Sequence, residues 1–211
     1  MNNPNPLRAN LYVVAAPSGG GKTSLINALL EKDHRVSLSV SYTTRTARPG
    51  EKDGVHYHFV DDPTFNDLIA KNAFLEHAEV FGHRYATGRD AVEKKLHAGF
   101  DVLLDIDWQG ARQIRKSFPS SCTIFILPPS LEALRDRLAR RGQDSEEVIE
   151  ERMREATAEI SYSSEFDYLI INDDFELALA DLQSIVRHRK LNRPDQKDHY
   201  DVLLAELREN G

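Results

Sequence analysis

The chain has 211 residues, of which 40% are hydrophobic and 29% are charged, and its formal net charge is −7. This length suits one compact α/β unit with small inserts, and the acidic balance disfavours a nucleic-acid partner. Cys122 is the only cysteine, which excludes an internal disulfide and fits a reducing compartment. The first ten residues lack a signal-peptide pattern, and no later apolar run reaches membrane-spanning length. We therefore expect a cytoplasmic location and no membrane partner.

The first element of the chain is a strand that leads through a glycine-rich loop into a helix. The apolar run 11–15 is followed by "APSGGGKT" and then by a helical pattern to about residue 31. Glycines let backbone N–H groups converge on an anion, and the helix N-terminus adds its dipole. In this context Lys22 is expected to contact the β- and γ-phosphates of a nucleotide, and Thr23 a Mg²⁺ ion. The predicted ATP-binding residues of the loop are Ala16, Pro17, Ser18, Gly19, Gly20, Gly21, Lys22 and Thr23, with Ala16 standing where the general pattern has glycine.

Residues 36–42 alternate as one strand would, and the next segment differs from its surroundings in character. Residues 43–87 contain Pro-Gly and Asp-Gly turn signals, the alternating stretch "HYHFV", a short helix that starts at Asp62 and the strand-like "FLEHAEVF". We interpret this segment as a small inserted domain. Arg45 and Arg48 bracket a turn and Tyr57 follows on a strand, a group that could bind a phosphate because arginine forks match phosphate oxygens.

The pattern of alternating strands and helices resumes after the insert. "DVLLDID" (101–107) predicts a buried strand that ends in carboxylates, and Asp105 or Asp107 could order Mg²⁺ there. Further strands are predicted at "CTIFILP" and "YLIIN", with helices from residue 108 through 117, from Ser130, over about 145–160, and after Asp174. This order predicts an α/β fold in which a parallel sheet has helices on both faces.

The sequence also contains a weak match to switch GTPases. Residues 107–110 fit their D-x-x-G motif. That interpretation requires a base-reading Asn-Lys-x-Asp after a later strand, and "YLIINDD" does not supply it. The GTPase interpretation is therefore disfavoured.

The sequence resembles the guanylate kinases from about Leu11 to Arg189. The resemblance rests on "APSGGGKTSL", "TTRTARPGEKDGVHYHFV", "FLEHAEVFGHRYATGR", "DVLLDIDWQGA", "ILPPS" and "IINDD", of which the second is the most specific. It implies Mg²⁺-dependent transfer of the ATP γ-phosphate to GMP, and by extension to dGMP, in purine nucleotide metabolism. It also implies a P-loop kinase core (11–42 and 88–192), a GMP-binding α+β insert (43–87) and a helical lid (about 137–152), between a disordered arm (1–10) and a helical tail (193–211).

The resemblance also assigns roles to individual residues. The residues implied in catalysis are Lys22, Arg45, Arg137, Arg141 and Arg152, of which the last three belong to the lid. Asn172 is implied near the adenine of ATP, and Thr23 and Asp105 near the metal. The implied GMP-binding residues are Ser41, Arg45, Arg48, Tyr57, Glu76, Tyr85, Thr87 and Asp107.

The chemistry of guanine is consistent with three of these assignments. Guanine presents N1–H and N2–H₂ donors side by side, which one carboxylate such as Glu76 can accept together. Its O6 and N7 atoms are acceptors and match the hydroxyl donors of Ser41 and Thr87. Adenine offers the opposite pattern along that edge and would leave the carboxylate unpaired.

Two other functions are alternatives to a guanylate kinase activity. A catalytically silent module that binds proteins typically lacks the phosphate-loop lysine or the lid arginines, and this chain retains both. A P-loop kinase for another acceptor would have a different insert. The oligomeric state stays open, because an amphipathic tail with Tyr200, Leu203, Leu204 and Leu207 could dock on its own core or on a second subunit.

Overall fold

A computed structural model describes residues 9–80, 82–140, 145–191, 201 and 204–209. The strands are β1 (Leu11–Ala15), β2 (Val36–Leu38), β3 (Ser41–Thr43), β4 (Tyr57–Phe59), β5 (Phe74–Val80), β6 (His83–Gly88), β7 (Asp101–Asp105), β8 (Cys122–Leu127) and β9 (Tyr168–Ile171). The α-helices are α1 (Lys22–Lys32), α2 (Asp62–Ala70), α3 (Arg89–His97), α4 (Trp108–Ser117), α5 (Leu131–Ala139), α6 (Glu146–Ile160) and α7 (Phe175–Leu191), and Ser163–Glu165 form a 3₁₀ turn. None of the helices in these ranges combines the length and hydropathy that crossing a bilayer requires.

The main sheet is parallel and has the strand order β2-β7-β1-β8-β9. Its central strand β1 is buried along its whole length because both faces are covered. Tyr12 and Val14 join a cluster with residues of α1 and α7, and Leu11 and Val13 join one with residues of α3 and α4. Successive strand residues point to opposite faces, so a strand between two helical layers is apolar throughout. The structure confirms the predicted α/β fold class.

A second sheet has the order β4-β3-β6-β5 and a small core formed by Phe65, Phe74 and Ala86. It extends from Ser41 to Gly88, and the division at residues 43 and 87 stays a prediction. The prediction of one strand over 36–42 was wrong. β2 ends in the main sheet, where the Ser39 amide donates to the Leu103 carbonyl oxygen, and β3 pairs in the second sheet. The alternation of apolar residues with serines continues across the break, at Val36, Leu38, Val40 and Tyr42, so it cannot show where the chain changes sheets.

Two further elements, β6 of the second sheet and the helix α3 after it, carry a weak sequence signal, and no prediction covered them. β6 follows the turn at Gly82, and α3 comes directly after it. Val92 is the buried residue of α3, whose other positions are mainly charged or polar. Leu96, partly buried, packs in the same cluster as Val92, and one such apolar pair in nine residues gives little helical periodicity to recognise.

The helices α5 and α6 pack on each other through Leu134, Leu138, Ile149 and Ala156. The side chains of Leu134 and Leu138 also lie against Gly19, which places α5 beside the loop between β1 and α1. The predicted arm, apart from residues 9 and 10, lies outside the described residues, and so does most of the predicted tail, including Tyr200 and Leu203. Residues 204–209 are helical, and Leu207 is 63% exposed.

A largely buried ion network joins residue 10 and the end of α7 to the main sheet. Lys190 of α7 lies 2.7 Å from Asp33 and 3.2 Å from Asp101, which is 4% exposed. Asp101 also accepts from the Asn10 amide at 2.7 Å. Removing one partner of a buried ion pair leaves an uncompensated charge, which is strongly destabilising.

We expect Lys190→Met to lower the free energy of unfolding by about 3 kcal/mol, because two carboxylates then lose their cation. Urea denaturation measures the change. Lys94→Met, which removes an exposed lysine of α3, is the control and should change stability by less than about 0.5 kcal/mol. Equal midpoints for the two variants would contradict the importance of the network.

Candidate active site

Glycines determine the shape of the loop between β1 and α1. Gly19 has φ 88° and Gly21 has φ 90°, both in the left-handed region, and the Gly20 amide donates to the Pro17 carbonyl oxygen at 2.9 Å. A Cβ atom on Gly21 would lie 2.2 Å from Nδ2 of Asn172. That Nδ2 donates to the Gly20 carbonyl oxygen at 2.9 Å, so Asn172 braces the loop from the end of β9. The backbone therefore adopts the turn that the glycine pattern predicted.

Lys22 begins α1 and turns toward the carboxyl end of β7. Its Nζ lies 2.5 Å from Oδ1 of Asp105 and donates to the Ile106 carbonyl oxygen at 3.4 Å. Burial lowers the pKa of Lys22, but the charge and hydrogen bond of Asp105 outweigh it and raise that pKa above its usual range. The lysine is thus a fixed cation at the mouth of the loop.

Glu76 is a carboxylate buried at the junction of the two sheets. It is 3% exposed, and its Oε1 accepts from the Thr87 hydroxyl at 2.6 Å. Burial raises the pKa of Glu76 to about 7, the Thr87 hydrogen bond opposes this, and the charge of Asp107 adds to it. Burial disfavours the ionised form of this carboxylate. A ligand that brings hydrogen-bond donors is therefore favoured, because such donors stabilise the ionised form.

One cavity of about 300 Å³ brings the phosphate loop and this carboxylate together. Residues 16–23 line it on one side, and Glu76 lines it with the ends of β3 and β7. The sequence-predicted residues on its wall, besides the loop, are Ser41, Tyr57, Glu76, Tyr85, Asp105 and Asp107. A nucleotide phosphate and a donor-rich ring could thus occupy one connected space.

A second cavity adjoins the first and contains the predicted phosphate-binding arginines. Ser18, Tyr57 and Tyr85 line both cavities, and Arg45, Arg48 and Arg152 line the second. The predicted group from the insert therefore faces helix α6, whose first half belongs to the predicted lid, across a gap next to the phosphate loop.

Arg45 is already engaged by a residue that the sequence analysis missed. Its guanidinium makes two hydrogen bonds to Glu51, at 3.0 and 2.8 Å, and donates to the Thr46 carbonyl oxygen at 2.7 Å. The pKa of Glu51 falls to about 2 because of Arg45 and the Arg48 amide. Glu51 follows the Pro49-Gly50 turn and comes six residues after Arg45 and three after Arg48, so a carboxylate placed to fold back onto two arginines was the available signal. The pairing fixes the plane of the guanidinium.

The lid arginines are placed in different ways. Arg137 donates to the Asn172 carbonyl oxygen at 2.8 Å, so it reaches the phosphate loop indirectly through Asn172. Arg152 lines the second cavity. Arg141 lies outside the described residues.

Glu159 of α6 is a further residue of the site that the sequence analysis did not single out. It lines the cavity of the phosphate loop and accepts a hydrogen bond from the Ser18 amide. Burial raises the pKa of Glu159 to about 7, an effect that Lys22 opposes. The signal in the sequence was its position three residues after Ala156, which puts a charged residue beside the buried face of the helix.

The two candidate metal-binding carboxylates have different surroundings. Asp107 accepts from the Gly110 amide at 2.8 Å and from Gln109 Nε2 at 3.1 Å, so it caps α4. Asp105 faces Lys22, and Thr23 lines the same cavity. Hydroxyl and carboxylate oxygens are hard donors that suit Mg²⁺, which takes most of its remaining ligands from phosphate and water. The donor set therefore fits Mg²⁺ bound together with a nucleotide.

Comparison with known proteins decides the family. The guanylate kinase family model matches residues 8–189. The chain belongs to the guanylate kinase family. It is 61% identical over 182 residues to a guanylate kinase of Alkalilimnicola ehrlichii, covering 85% of this chain and 90% of the relative. It is 54% identical over 202 residues to the guanylate kinase of Escherichia coli K12, covering 95% and 98%.

A solved guanylate kinase has the same fold. The crystal structure of guanylate kinase from Anaplasma phagocytophilum superposes with a TM-score of 0.74 at 35% identity and covers 90% of each chain. These comparisons confirm the resemblance that the sequence motifs indicated. The chain is a P-loop nucleoside monophosphate kinase of the guanylate kinase family, and the residue roles within it stay predictions.

We expect Lys22→Ala to lower kcat by about 100-fold or more, because the variant loses a fixed cation that stabilises charge in the transition state. Steady-state kinetics with ATP and GMP measure the loss. Lys32→Ala is the control, since this lysine of the same helix α1 is half-exposed and pairs with Glu176 at 3.8 Å. Near-normal turnover of a folded Lys22→Ala variant would exclude the phosphate-loop role.

Proposed function

We propose that this member of the guanylate kinase family binds ATP on the phosphate loop and GMP against Glu76, and transfers the γ-phosphoryl group between them. The observation that carries the proposal is that the phosphate loop and a buried carboxylate line the same cavity. The phosphate loop alone would fit many nucleotide-binding proteins. The carboxylate adds a reader for the one base that offers adjacent N1–H and N2–H₂ donors.

Glu76 reads the base in this proposal. In its ionised form it accepts from guanine N1–H and N2–H₂, and these donors offset the burial that raises the pKa of Glu76 to about 7. Ser41 lines the cavity and supplies a hydroxyl for the acceptors O6 and N7. The one hydroxyl proton of the fully buried Thr87 is donated to Oε1 of Glu76, so in this arrangement Thr87 orients the carboxylate and does not donate to the base. Ser41 and Thr87 are paired residues in neighbouring strands, so their side chains lie on the same face of the second sheet.

The GMP phosphate lies in the second cavity. Arg45, Arg48, Tyr57 and Tyr85 line that cavity and offer hydrogen-bond donors of the kind that bind phosphate. Glu51 holds Arg45 in one orientation through two hydrogen bonds, which reduces the entropy lost when the phosphate arrives. Because Tyr57 and Tyr85 line both cavities, the acceptor phosphate lies next to the phosphate loop.

The transfer requires alignment and charge stabilisation. An oxygen of the GMP phosphate forms a bond to the γ-phosphorus, and the bond from that phosphorus to the bridging oxygen of ADP breaks. The attacking oxygen is already ionised, so no general base is needed. Lys22 and Arg152, which line the two cavities, stabilise the charge of the migrating group, and the lid supplies Arg141 as well. Arg137 acts through Asn172, which braces the loop.

Thr23 and Asp105 would hold Mg²⁺ with the ATP phosphates, with Asp105 preferred because Asp107 already caps α4. When bound, the ion neutralises phosphate charge in the transition state. This role requires Asp105 to share its carboxylate between the ion and Lys22, which lies 2.5 Å away. Lys22 would then turn toward the phosphates.

The partners in this proposal are the small molecules ATP, GMP and dGMP. The net charge of −7 disfavours a polyanion as a partner. A cytoplasmic location follows from the substrates, which are metabolites of that compartment. The core, the insert over 43–87 and the lid over about 137–152 would close around the two nucleotides and exclude water.

We expect Glu76→Gln to lower kcat/KM for GMP by about 30-fold or more, equivalent to 2–4 kcal/mol, because an acceptor becomes a donor that faces a donor. The KM for ATP should hardly change. Kinetics with GMP and AMP on a folded variant measure both effects.

Arg45→Ala is the comparison variant. It should weaken GMP and AMP alike, because Arg45 contacts phosphate and not base in this proposal. If Glu76→Gln keeps the preference for GMP over AMP, the base-reading role is wrong.

A further inference from the structure

The helix α4 lies along β5 and is fixed to its backbone by a side-chain amide. Gln113 Nε2 donates to the His77 carbonyl oxygen at 2.8 Å, and the His77 amide donates to Gln113 Oε1 at 3.2 Å. The glutamine thus pairs with a strand residue as a neighbouring strand would. Leu75 of β5 packs in the same cluster as Ala111 and Ile114 of α4, so the contact is also apolar. The strand that carries Glu76 is therefore located by α4.

Gly110 stands one turn before Gln113, directly against the Glu76 carboxylate. A Cβ atom on Gly110 would lie 2.6 Å from Glu76 Oε2 and 3.1 Å from its Cδ. The first distance is shorter than a non-bonded contact allows and the second is tight, so a Cβ atom at position 110 would displace the carboxylate. Gly110 is inside a helix and does not have a positive φ, so the backbone conformation gives no reason for glycine there.

The two carboxylate oxygens of Glu76 are thus held from two sides. The Thr87 hydroxyl of β6 donates to Oε1 at 2.6 Å, and Oε2 lies against the bare backbone of Gly110. We propose that Gly110 and Gln113 are positioning residues for guanine specificity: Gly110 leaves room for Oε2, and Gln113 fixes β5 so that Glu76 faces the cavity. This inference rests on the proposed role of Glu76 as the reader of the base.

GMP and IMP are two nucleotides whose bases differ by one group, and that difference distinguishes the two contacts of the carboxylate. IMP has the N1–H of GMP but lacks its N2 amino group, so the preference for GMP over IMP reports the second contact of the carboxylate. A displaced Oε2 loses that second contact. A charged hydrogen bond of this kind corresponds to about tenfold in selectivity.

The first experiment is Gly110→Ala, assayed with GMP, IMP and ATP. We expect the ratio of kcat/KM for GMP over IMP to fall by about tenfold, with an increased KM for GMP and an unchanged KM for ATP. The same substitution in a Glu76→Gln background should have no further effect on the ratio, because the group that it displaces no longer reads the base. A purely structural role for Gly110 would lower activity in both backgrounds by the same factor.

The second experiment keeps the test decisive if Gly110→Ala does not fold. Gln113→Leu removes both hydrogen bonds to His77 and should raise the KM for GMP several-fold. Gln113→Glu retains the acceptor, so its KM for GMP should lie between those of Gln113→Leu and the unmodified protein. Lys116→Leu changes an exposed residue of the same helix and is the control. If the unmodified protein phosphorylates GMP and both Gly110→Ala and Gln113→Leu keep its selectivity and KM, the inference is wrong. If the unmodified protein does not prefer GMP, the proposed function itself fails.

Discussion

The site depends on one carboxylate that the fold buries before any substrate arrives. Glu76 is 3% exposed, and the groups that face it are a hydroxyl, a helix backbone and the carboxylate of Asp107. Burial of this kind stabilises the neutral form and raises the pKa of Glu76 to about 7. The unfavourable free energy of burying the ionised carboxylate is offset when a ligand donates two hydrogen bonds to it. In the proposed function, selectivity for guanine follows from the folded protein, because a base without those donors leaves the ionised carboxylate buried and unpaired.

Three consecutive residues at the end of β7 connect the two halves of the site. Asp105 pairs with Lys22 of the phosphate loop, and the Ile106 carbonyl oxygen accepts from the same lysine. Asp107 caps α4, the helix that locates β5, and its charge acts on Glu76. The carboxyl end of a parallel strand is where α/β proteins bind ligands. Here that end brings the phosphate loop and Glu76 to the wall of one cavity.

The sequence predicted the parts of the site that are contiguous in the chain, and it missed those that arise from packing. The phosphate loop was recognisable because its glycines, Lys22 and Thr23 are adjacent, and Glu76 was recognisable through a family motif. Glu159 and Gly110 act through neighbours 141 and 34 positions away, a relation that only the docking of α6 and α4 creates. The break between β2 and β3 was missed for the same reason, since both strands alternate regularly and differ only in their partners.

The central claim is that GMP binding ionises Glu76, and proton release on binding tests it most directly. Calorimetric titration of GMP at pH 7 in buffers of different ionisation enthalpy gives the number of protons released. With a pKa of about 7 in the free protein, Glu76 is about half protonated, so the unmodified protein should release about 0.5 proton more than Glu76→Gln. The phosphate of GMP contributes equally to both titrations and cancels in the difference. Equal proton release by the two proteins, with GMP bound by both, would contradict the account.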